Sequence, residues 1–97
     1  MTAKEGIEPD AIFARGEGVL LREIDGELLL LNSSSDSYFS LNRSGAAMYQ
    51  NLENGATVSA TVEAVAETFE APRELVEQDL NVLLGELLER GLMTRQV

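Results

Sequence analysis

The stretch GVLLREIDGELLLLN, residues 18–32, constrains the fold more than any other part of the sequence. Asp25 and Gly26 separate two apolar runs, and this dipeptide between such runs is a strong signal for a two-residue β-hairpin turn. The pattern predicts strands at about residues 18–24 and 27–32. The turn-prone segment NSSSDS follows, and a third short strand is predicted at about residues 37–41. The first half of the chain is therefore predicted to form a small antiparallel sheet.

The pattern changes from strand to helix after Asn42. Asn42 or Ser44 can cap a short helix, which Asn54 and Gly55 end. Thr57 can cap a second helix, whose apolar residues recur at spacings of four, three and four. The second half of the chain is therefore predicted to be helical.

A third helix is predicted to start with Pro72 at its first position and to run to about Arg90, where Gly91 ends it. Its broad apolar face would pack on the core and consists of Val76, Leu80, Leu83, Leu84, Leu87 and Leu88. A second row of residues, here called the flank stripe, consists of Leu75, Asp79, Val82 and Glu86. Because a helix needs one apolar face for its own core, the flank stripe is suited to contact another molecule. The alternative is that Leu75 and Val82 merely widen the core.

The composition limits the possible functions. The chain has 97 residues, a net charge of −10, and neither histidine nor cysteine. The length fits one domain, predicted over residues 12–97 and preceded by a flexible arm of residues 1–11. Without histidine and cysteine, the commonest metal ligands and general bases are missing, so we expect no enzyme activity, no metal site and no cofactor. The sequence shows neither a membrane-spanning run nor a signal-peptide pattern, and we expect a cytoplasmic protein without a membrane partner.

The negative charge also argues against a nucleic-acid partner. Binding to nucleic acid depends on basic residues that neutralise phosphates, and the seven basic residues here are scattered along the chain. The predicted third helix would present five acids and only Arg73 and Arg90 to a phosphate backbone. A winged-helix DNA-binding regulator nevertheless remains the alternative function, because the predicted topology permits it.

Several segments, in their order and spacing, resemble the PqqD family, named for pyrroloquinoline quinone biosynthesis protein D. They are YFSLN followed by Gly45, NGATV at residues 54–58, and QDLNVLLGELLERGLM at residues 78–93. The resemblance covers roughly residues 17–94. It agrees with an α+β fold that is winged helix-turn-helix-like, with a three-stranded antiparallel sheet followed by three helices.

The resemblance implies a function in peptide recognition. Family members are not enzymes; they bind the leader segment of a ribosomally made precursor peptide and present it to a modifying enzyme. Such enzymes include radical-SAM proteins and, for lasso peptides, a leader peptidase and a cyclase. The leader would add as an antiparallel strand to the third strand and fill the groove against the third helix. A monomer or a weak dimer is expected, since a strand edge can also pair with itself. A scaffold subunit that docks on an enzyme is a further alternative.

Eleven residues form the peptide-binding site that the resemblance implies: Ser37, Tyr38, Phe39, Ser40, Leu41, Leu75, Gln78, Asp79, Val82, Leu83 and Glu86. Alternation along the third strand puts Tyr38 and Ser40 on one face, and we expect Phe39 and Leu41 on the other to face the core. Two alternatives stay open. Either the face with Tyr38 and Ser40 is the one toward the core, or Tyr38 and Phe39 are both core residues. Asp79 and Glu86 could form ion pairs with basic leader residues. Asp79 could equally form a hydrogen bond to the backbone near the end of the strand.

Overall fold

The computed structural model describes residues 7–96. Its elements are β1 (Ile12–Arg15), β2 (Val19–Ile24), β3 (Glu27–Asn32), β4 (Ser37–Leu41), α1 (Arg43–Glu53), α2 (Val58–Phe69), α3 (Arg73–Glu89) and β5 (Met93–Gln96). The strands β2, β3 and β4 form an antiparallel sheet in that order, and three helices follow. This arrangement confirms the predicted α+β, winged-helix-like fold class.

A two-residue turn joins β2 to β3, as predicted. Asp25 and Gly26 have φ values of 54° and 84°, and positive φ at both central residues is the mark of the type I′ turn that suits twisted strands. Ile24 and Glu27 pair directly across this turn. β2 begins one residue later than predicted, because Gly18 has a φ of 77°, outside the range of a strand.

Residues 33–36 turn the chain from β3 into β4. Asn32 holds this turn in two ways: its backbone carbonyl accepts a hydrogen bond from the Asp36 N–H at 2.9 Å, and its side-chain oxygen accepts one from the Ser34 N–H at 2.9 Å. The register then pairs Leu30 with Phe39. Because the sheet order is β2-β3-β4, β4 lies at the edge of the sheet.

Side-chain caps start α1 and α2 at predicted residues. The Asn42 side-chain oxygen accepts a hydrogen bond from the Gly45 N–H at 2.9 Å, and the Thr57 hydroxyl oxygen accepts one from the Ala60 N–H at 3.1 Å. The start of α3 differs from the prediction. Pro72 precedes the helix instead of occupying its first position, because its ψ of 136° is extended. Its carbonyl still accepts the first hydrogen bonds of the helix.

A second sheet, absent from the prediction, joins the two ends of the described chain. β1 pairs antiparallel with β5, with Arg15 opposite Met93, and the side chains of Phe13 and Met93 are buried. Directly after β1, the backbone at Gly16 passes very close to the backbone at Gly91. A Cβ on Gly16 would lie 2.1 Å from the carbonyl oxygen of Gly91. Only glycine fits at this position.

The predicted flexible arm is only partly described, because residues 1–6 lie outside the described residues. Within residues 7–11, the Ile7 N–H donates to the side-chain oxygen of Asn81 at 3.1 Å, and the Pro9 carbonyl accepts from the Ser59 N–H at 2.9 Å. Ala11 is buried. The division of the chain into an arm and a domain stays a prediction.

The core includes residues from the three-stranded sheet and all three helices. Its fully buried side chains include Leu30, Tyr49, Leu52, Val62, Leu80, Leu84 and Leu87. On α3, the predicted core face is confirmed at Val76, Leu80, Leu84 and Leu87, whereas Leu83 and Leu88 are half-buried. The partial burial of Leu83 leaves it available to the surface groove described below.

Tyr49 is an ionisable side chain at the centre of this core. Its hydroxyl donates a hydrogen bond to the Leu92 carbonyl at 2.7 Å. Burial, followed by the negative charge of Glu53, raises the pKa of Tyr49 to about 12, although Arg15 acts in the opposite direction. The raised pKa means that the folded state keeps this proton at pH values where the unfolded state loses it. The stabilisation that Tyr49 contributes should therefore be fully present below pH 10 and be lost as the pH rises from 10 to 12.

Replacing Tyr49 with phenylalanine should remove this pH dependence. At pH 9 we expect Tyr49→Phe to be about 1 kcal/mol less stable, because the hydrogen bond to Leu92 is lost. At pH 11 the free energy of unfolding of the wild type should be about 1.3 kcal/mol lower because of Tyr49. The two proteins should then have similar free energies of unfolding. Urea unfolding of both proteins at pH 9 and 11 measures this. An equal free-energy difference at the two pH values would contradict the prediction.

Candidate functional site

The outer edge of β4 is the first component of the candidate site. β3 pairs with β4 on one side, and no other strand within residues 7–96 pairs with it on the other. Such an edge presents a row of unpaired N–H and C=O groups to which another chain can add. The chemistry of this edge depends on which residues of β4 point these groups outward.

The β2–β3 turn determines the hydrogen-bonding pattern of the whole sheet. Ile24 and Glu27 flank a two-residue type I′ turn, and the residues that flank such a turn form a hydrogen-bonded pair. Hydrogen-bonded and non-bonded pairs alternate along antiparallel strands, and successive residues of a central strand bond to opposite neighbours. Since Glu27 bonds to β2, the residues of β3 that bond to β4 are Leu28, Leu30 and Asn32.

The register then identifies the groups at the free edge. Leu41, Phe39 and Ser37 lie opposite those three residues of β3, so their backbone groups point toward β3. The N–H and C=O groups of Tyr38 and Ser40 consequently point away from β3, toward the open side of the sheet. This edge offers two N–H donors and two C=O acceptors to an added strand.

The side chains of β4 divide between two faces, as the alternation predicts. Leu41 is buried in the core and Phe39 is half-buried. Tyr38 is 69% exposed, and Ser40 is exposed as well. The exposure of Tyr38 contradicts the alternative in which both aromatic residues belong to the core, and the burial of Leu41 contradicts the exchanged faces.

A groove of about 370 Å³ lies beside this edge, between β4, the start of α1 and α3. Its lining consists of Phe39, Ser40, Leu41, Asn42, Ser44, Gly45, Met48, Asp79, Val82, Leu83 and Glu86. The strand contributes a mainly apolar wall, and α3 contributes two apolar side chains between two acidic ones. The edge and the groove thus share residues 39–41.

The groove brings together most of the predicted site residues. The four that do not line it are Ser37, Tyr38, Leu75 and Gln78. Tyr38 still borders the site through its edge-facing backbone. Leu75 is 49% exposed and lies one helical turn before Asp79, beyond the groove. The flank stripe is therefore a surface feature, which decides against the alternative that Leu75 and Val82 merely widen the core, but only its later part lines the groove.

The start of α1 provides a wall of the groove that was not predicted from the sequence. Asn42, Ser44, Gly45 and Met48 form this wall. The Asn42 side-chain oxygen accepts hydrogen bonds from the Gly45 N–H and from the Ser44 hydroxyl, at 2.9 and 3.2 Å. The cap immediately after β4 was visible in the sequence. It implies that the first turn of α1 lies beside the end of the strand.

The charged residues of the groove are both acids. Asp79 and Glu86 are exposed on α3, and among residues 7–96 neither is within ion-pair distance of a basic side chain. Val82 lies between them on the same stripe and is 70% exposed. A large apolar side chain thus stands in the open between two carboxylates, an arrangement that offers contacts to a ligand but contributes little to the core.

The contacts of Arg90 indicate the direction of α3 relative to β4. Its guanidinium carbon lies 5.0 Å from the centre of the Phe39 ring, and its carbonyl accepts a hydrogen bond from the Asn32 side chain at 3.4 Å. The end of α3 therefore lies near the start of β4. Glu86 is on this side of the groove, and Asp79 is toward the other end.

Residues 7–96 contain neither a metal-binding cluster nor a membrane-spanning helix. No group of three or more acidic side chains there lies close enough together to hold a metal ion. None of its helices is both long enough and apolar enough to cross a membrane.

Comparisons with known proteins identify the family. TbiB1 in complex with the TbiA(beta) leader peptide is 29% identical, with a TM-score of 0.76 over 82% of this chain and 93% of that chain. A lasso peptide synthetase B1 complexed with the leader peptide is 25% identical, with a TM-score of 0.76 over 84% of this chain and 95% of that one. No curated protein sequence matches the chain. The family model described as Coenzyme PQQ synthesis protein D (PqqD) matches residues 27–93, from β3 to the start of β5. The chain belongs to the PqqD family.

Proposed function

We propose that this protein binds the leader segment of a ribosomally synthesised precursor peptide and delivers it to a separate modifying enzyme, without catalysing a reaction itself. The observation that carries the proposal is the open edge of β4 beside a groove of about 370 Å³. An extended peptide gains main-chain hydrogen bonds at such an edge, while its alternate side chains enter neighbouring pockets.

The mode of binding follows from the geometry of the edge. The leader pairs with the backbone groups of Tyr38 and Ser40, so that it becomes a fourth strand of the sheet. Every second side chain of the leader then points into the groove, toward Val82 and Leu83 on α3. The main-chain bonds contribute affinity for any extended segment, and the groove contributes the selection among sequences.

Two relatives support a peptide as the ligand. TbiB1 and the lasso peptide synthetase B1 were both solved with a leader peptide bound, and each resembles this chain over more than four-fifths of its length. The modifying enzyme proposed here is a radical-SAM protein or, in a lasso-peptide pathway, a leader peptidase that acts with a cyclase. The protein works as a monomer or as a weak dimer, in which β4 of one copy pairs with another copy.

The residues of the groove support a binding role better than a catalytic one. The chain has no histidine or cysteine, and the ionisable side chains of the lining are the carboxylates of Asp79 and Glu86. Their positions on α3 are seven residues apart, which is a rise of about 10 Å along the helix axis. The groove thus offers shape and charge to a ligand, without a paired acid and base at one point.

The alternative of DNA binding gains nothing from the structure. α3, the helix that would enter the major groove, carries exposed acids at Glu74, Glu77, Asp79, Glu86 and Glu89. Of its flanking bases, Arg73 is engaged in an ion pair with Glu63 and Arg90 lies over Phe39. Phosphates would therefore meet mainly negative charge on this helix.

An NMR titration tests the proposed function. The isotope-labelled protein is mixed with the leader of the precursor peptide encoded beside its gene, and backbone amide shifts are followed. We expect the largest shifts at residues 38–45 and 79–86, the edge and the lining of the groove. Shifts confined to other surfaces, or none with a folded protein, would contradict the proposal. In that case a scaffold role is tested by binding to the neighbouring enzyme without peptide.

A further inference from the structure

We infer that the groove selects peptides in which an apolar residue is flanked on both sides by basic residues. This inference rests on the proposed function and specifies the ligand of the same site. It comes from the order of side chains on α3, where Asp79, Val82 and Glu86 follow one another along the wall that faces β4.

The centre of the groove requires an apolar side chain. Val82 is 70% exposed, Leu83 is half-buried beside it, and Leu41 and Met48 close the groove from the opposite side. A polar ligand side chain placed here would lose contacts with water without gaining a hydrogen-bond partner from these four residues. An apolar side chain would instead remove exposed apolar surface from water on both sides of the contact.

The two ends of the groove require positive charge. Asp79 and Glu86 flank the apolar centre, and neither forms an ion pair among residues 7–96. Arg90, the base nearest to Glu86 on the helix, lies over the Phe39 ring instead. A basic ligand residue would thus meet an available carboxylate at either end, while an acidic one would meet a like charge. The net charge of −10 adds attraction for cationic peptides at longer range.

The spacing along the helix translates into a spacing along the ligand. Seven residues of helix separate Asp79 from Glu86 by about 10 Å. In an added strand, side chains on one face recur about every 6.7 Å, so residues four apart are separated by about 13 Å. Long, flexible lysine and arginine side chains take up the difference of about 1.5 Å at each end. The pattern is therefore basic, any residue, apolar, any residue, basic.

Selection from a displayed library of random twelve-residue peptides tests this inference. The immobilised wild-type protein is the bait, and selection is carried out at low salt. We expect the enriched peptides to contain basic residues two positions before and after an apolar residue. A synthetic peptide with the enriched sequence should bind about two- to fivefold more weakly to Asp79→Asn and to Glu86→Gln, and this loss should shrink at 0.5 M salt.

The matched control is Glu77→Gln, which removes a charge from an exposed position of α3 outside the groove. It should leave binding of the same peptide unchanged. Enriched peptides without an excess of basic residues, or equal binding to the wild type and both groove variants, would overturn the inference and leave the proposed function intact. If binding of the enriched peptide is unchanged when Ser40 is replaced with proline, the peptide does not pair with β4, and the inference fails because its spacing assumes an added strand. If no peptide is enriched, the inference fails, and the proposed function fails with it only if the NMR titration with the leader also shows no shifts at the edge and the groove.

Discussion

Ser40→Pro should weaken leader binding by at least about tenfold and leave the protein folded. The Ser40 N–H points to the free edge of β4, because the register assigns the backbone bonds to β3 to residues 37, 39 and 41. Proline removes this donor and places its ring where an added strand would pair. Losing one main-chain hydrogen bond whose partner stays buried should cost about 1–3 kcal/mol of binding free energy. The proline ring also blocks the added strand sterically. Fluorescence anisotropy with a labelled leader measures the affinity.

Two control variants separate the backbone effect from other causes. Ser40→Ala keeps the N–H and should bind the leader as the wild type does. Phe39→Pro removes a backbone donor that faces β3, so it should lower the melting temperature, whereas proline at an edge-facing position is tolerated in edge strands. A folded Ser40→Pro variant with full affinity would show that the leader does not pair with β4.

The features predicted correctly from the sequence are those encoded by neighbouring residues. Asp25 and Gly26 specify the type I′ turn by themselves, since both adopt positive φ. Asn42 and Thr57 satisfy N–H groups only three residues away, so the starts of α1 and α2 could be read directly. The exposure of Val82 was left open by the sequence, and the structure decides it: the side chain is 70% exposed, because the core face of α3 is filled without it.

The features that escaped prediction depend on contacts between distant parts of the chain. β1 and β5 are four residues each and pair Arg15 with Met93 across almost the whole sequence. Neither strand is long enough to show alternation, and neither is stable without the other. The same reason explains the missed α1 wall of the groove. Met48 faces the groove only because α1 turns back beside α3, which no local pattern specifies.

The junction between β4 and α1 links stability to the shape of the site. Leu41 is buried, and Asn42, the next residue, caps α1. One residue therefore separates the edge strand from the helix that forms the adjacent wall. The strand cannot move away from the core without disturbing the cap, so the groove and the edge should keep their relative position in the free protein. A preformed site of this kind lowers the cost of ordering the protein on binding.

Val82→Asp should weaken leader binding by about thirtyfold, which corresponds to about 2 kcal/mol. The change removes the apolar centre of the groove and places a third negative charge between Asp79 and Glu86. Stability should fall by less than about 1.5 kcal/mol, because the side chain is 70% exposed and the like-charge pairs on the helix are weak. Leu75→Asp is the control: it adds the same charge to an exposed apolar position of α3 outside the groove. Calorimetric titration of both variants with the leader measures the effect. If Leu75→Asp weakens binding as much as Val82→Asp does, the whole flank stripe contacts the peptide, and the groove alone does not define the site.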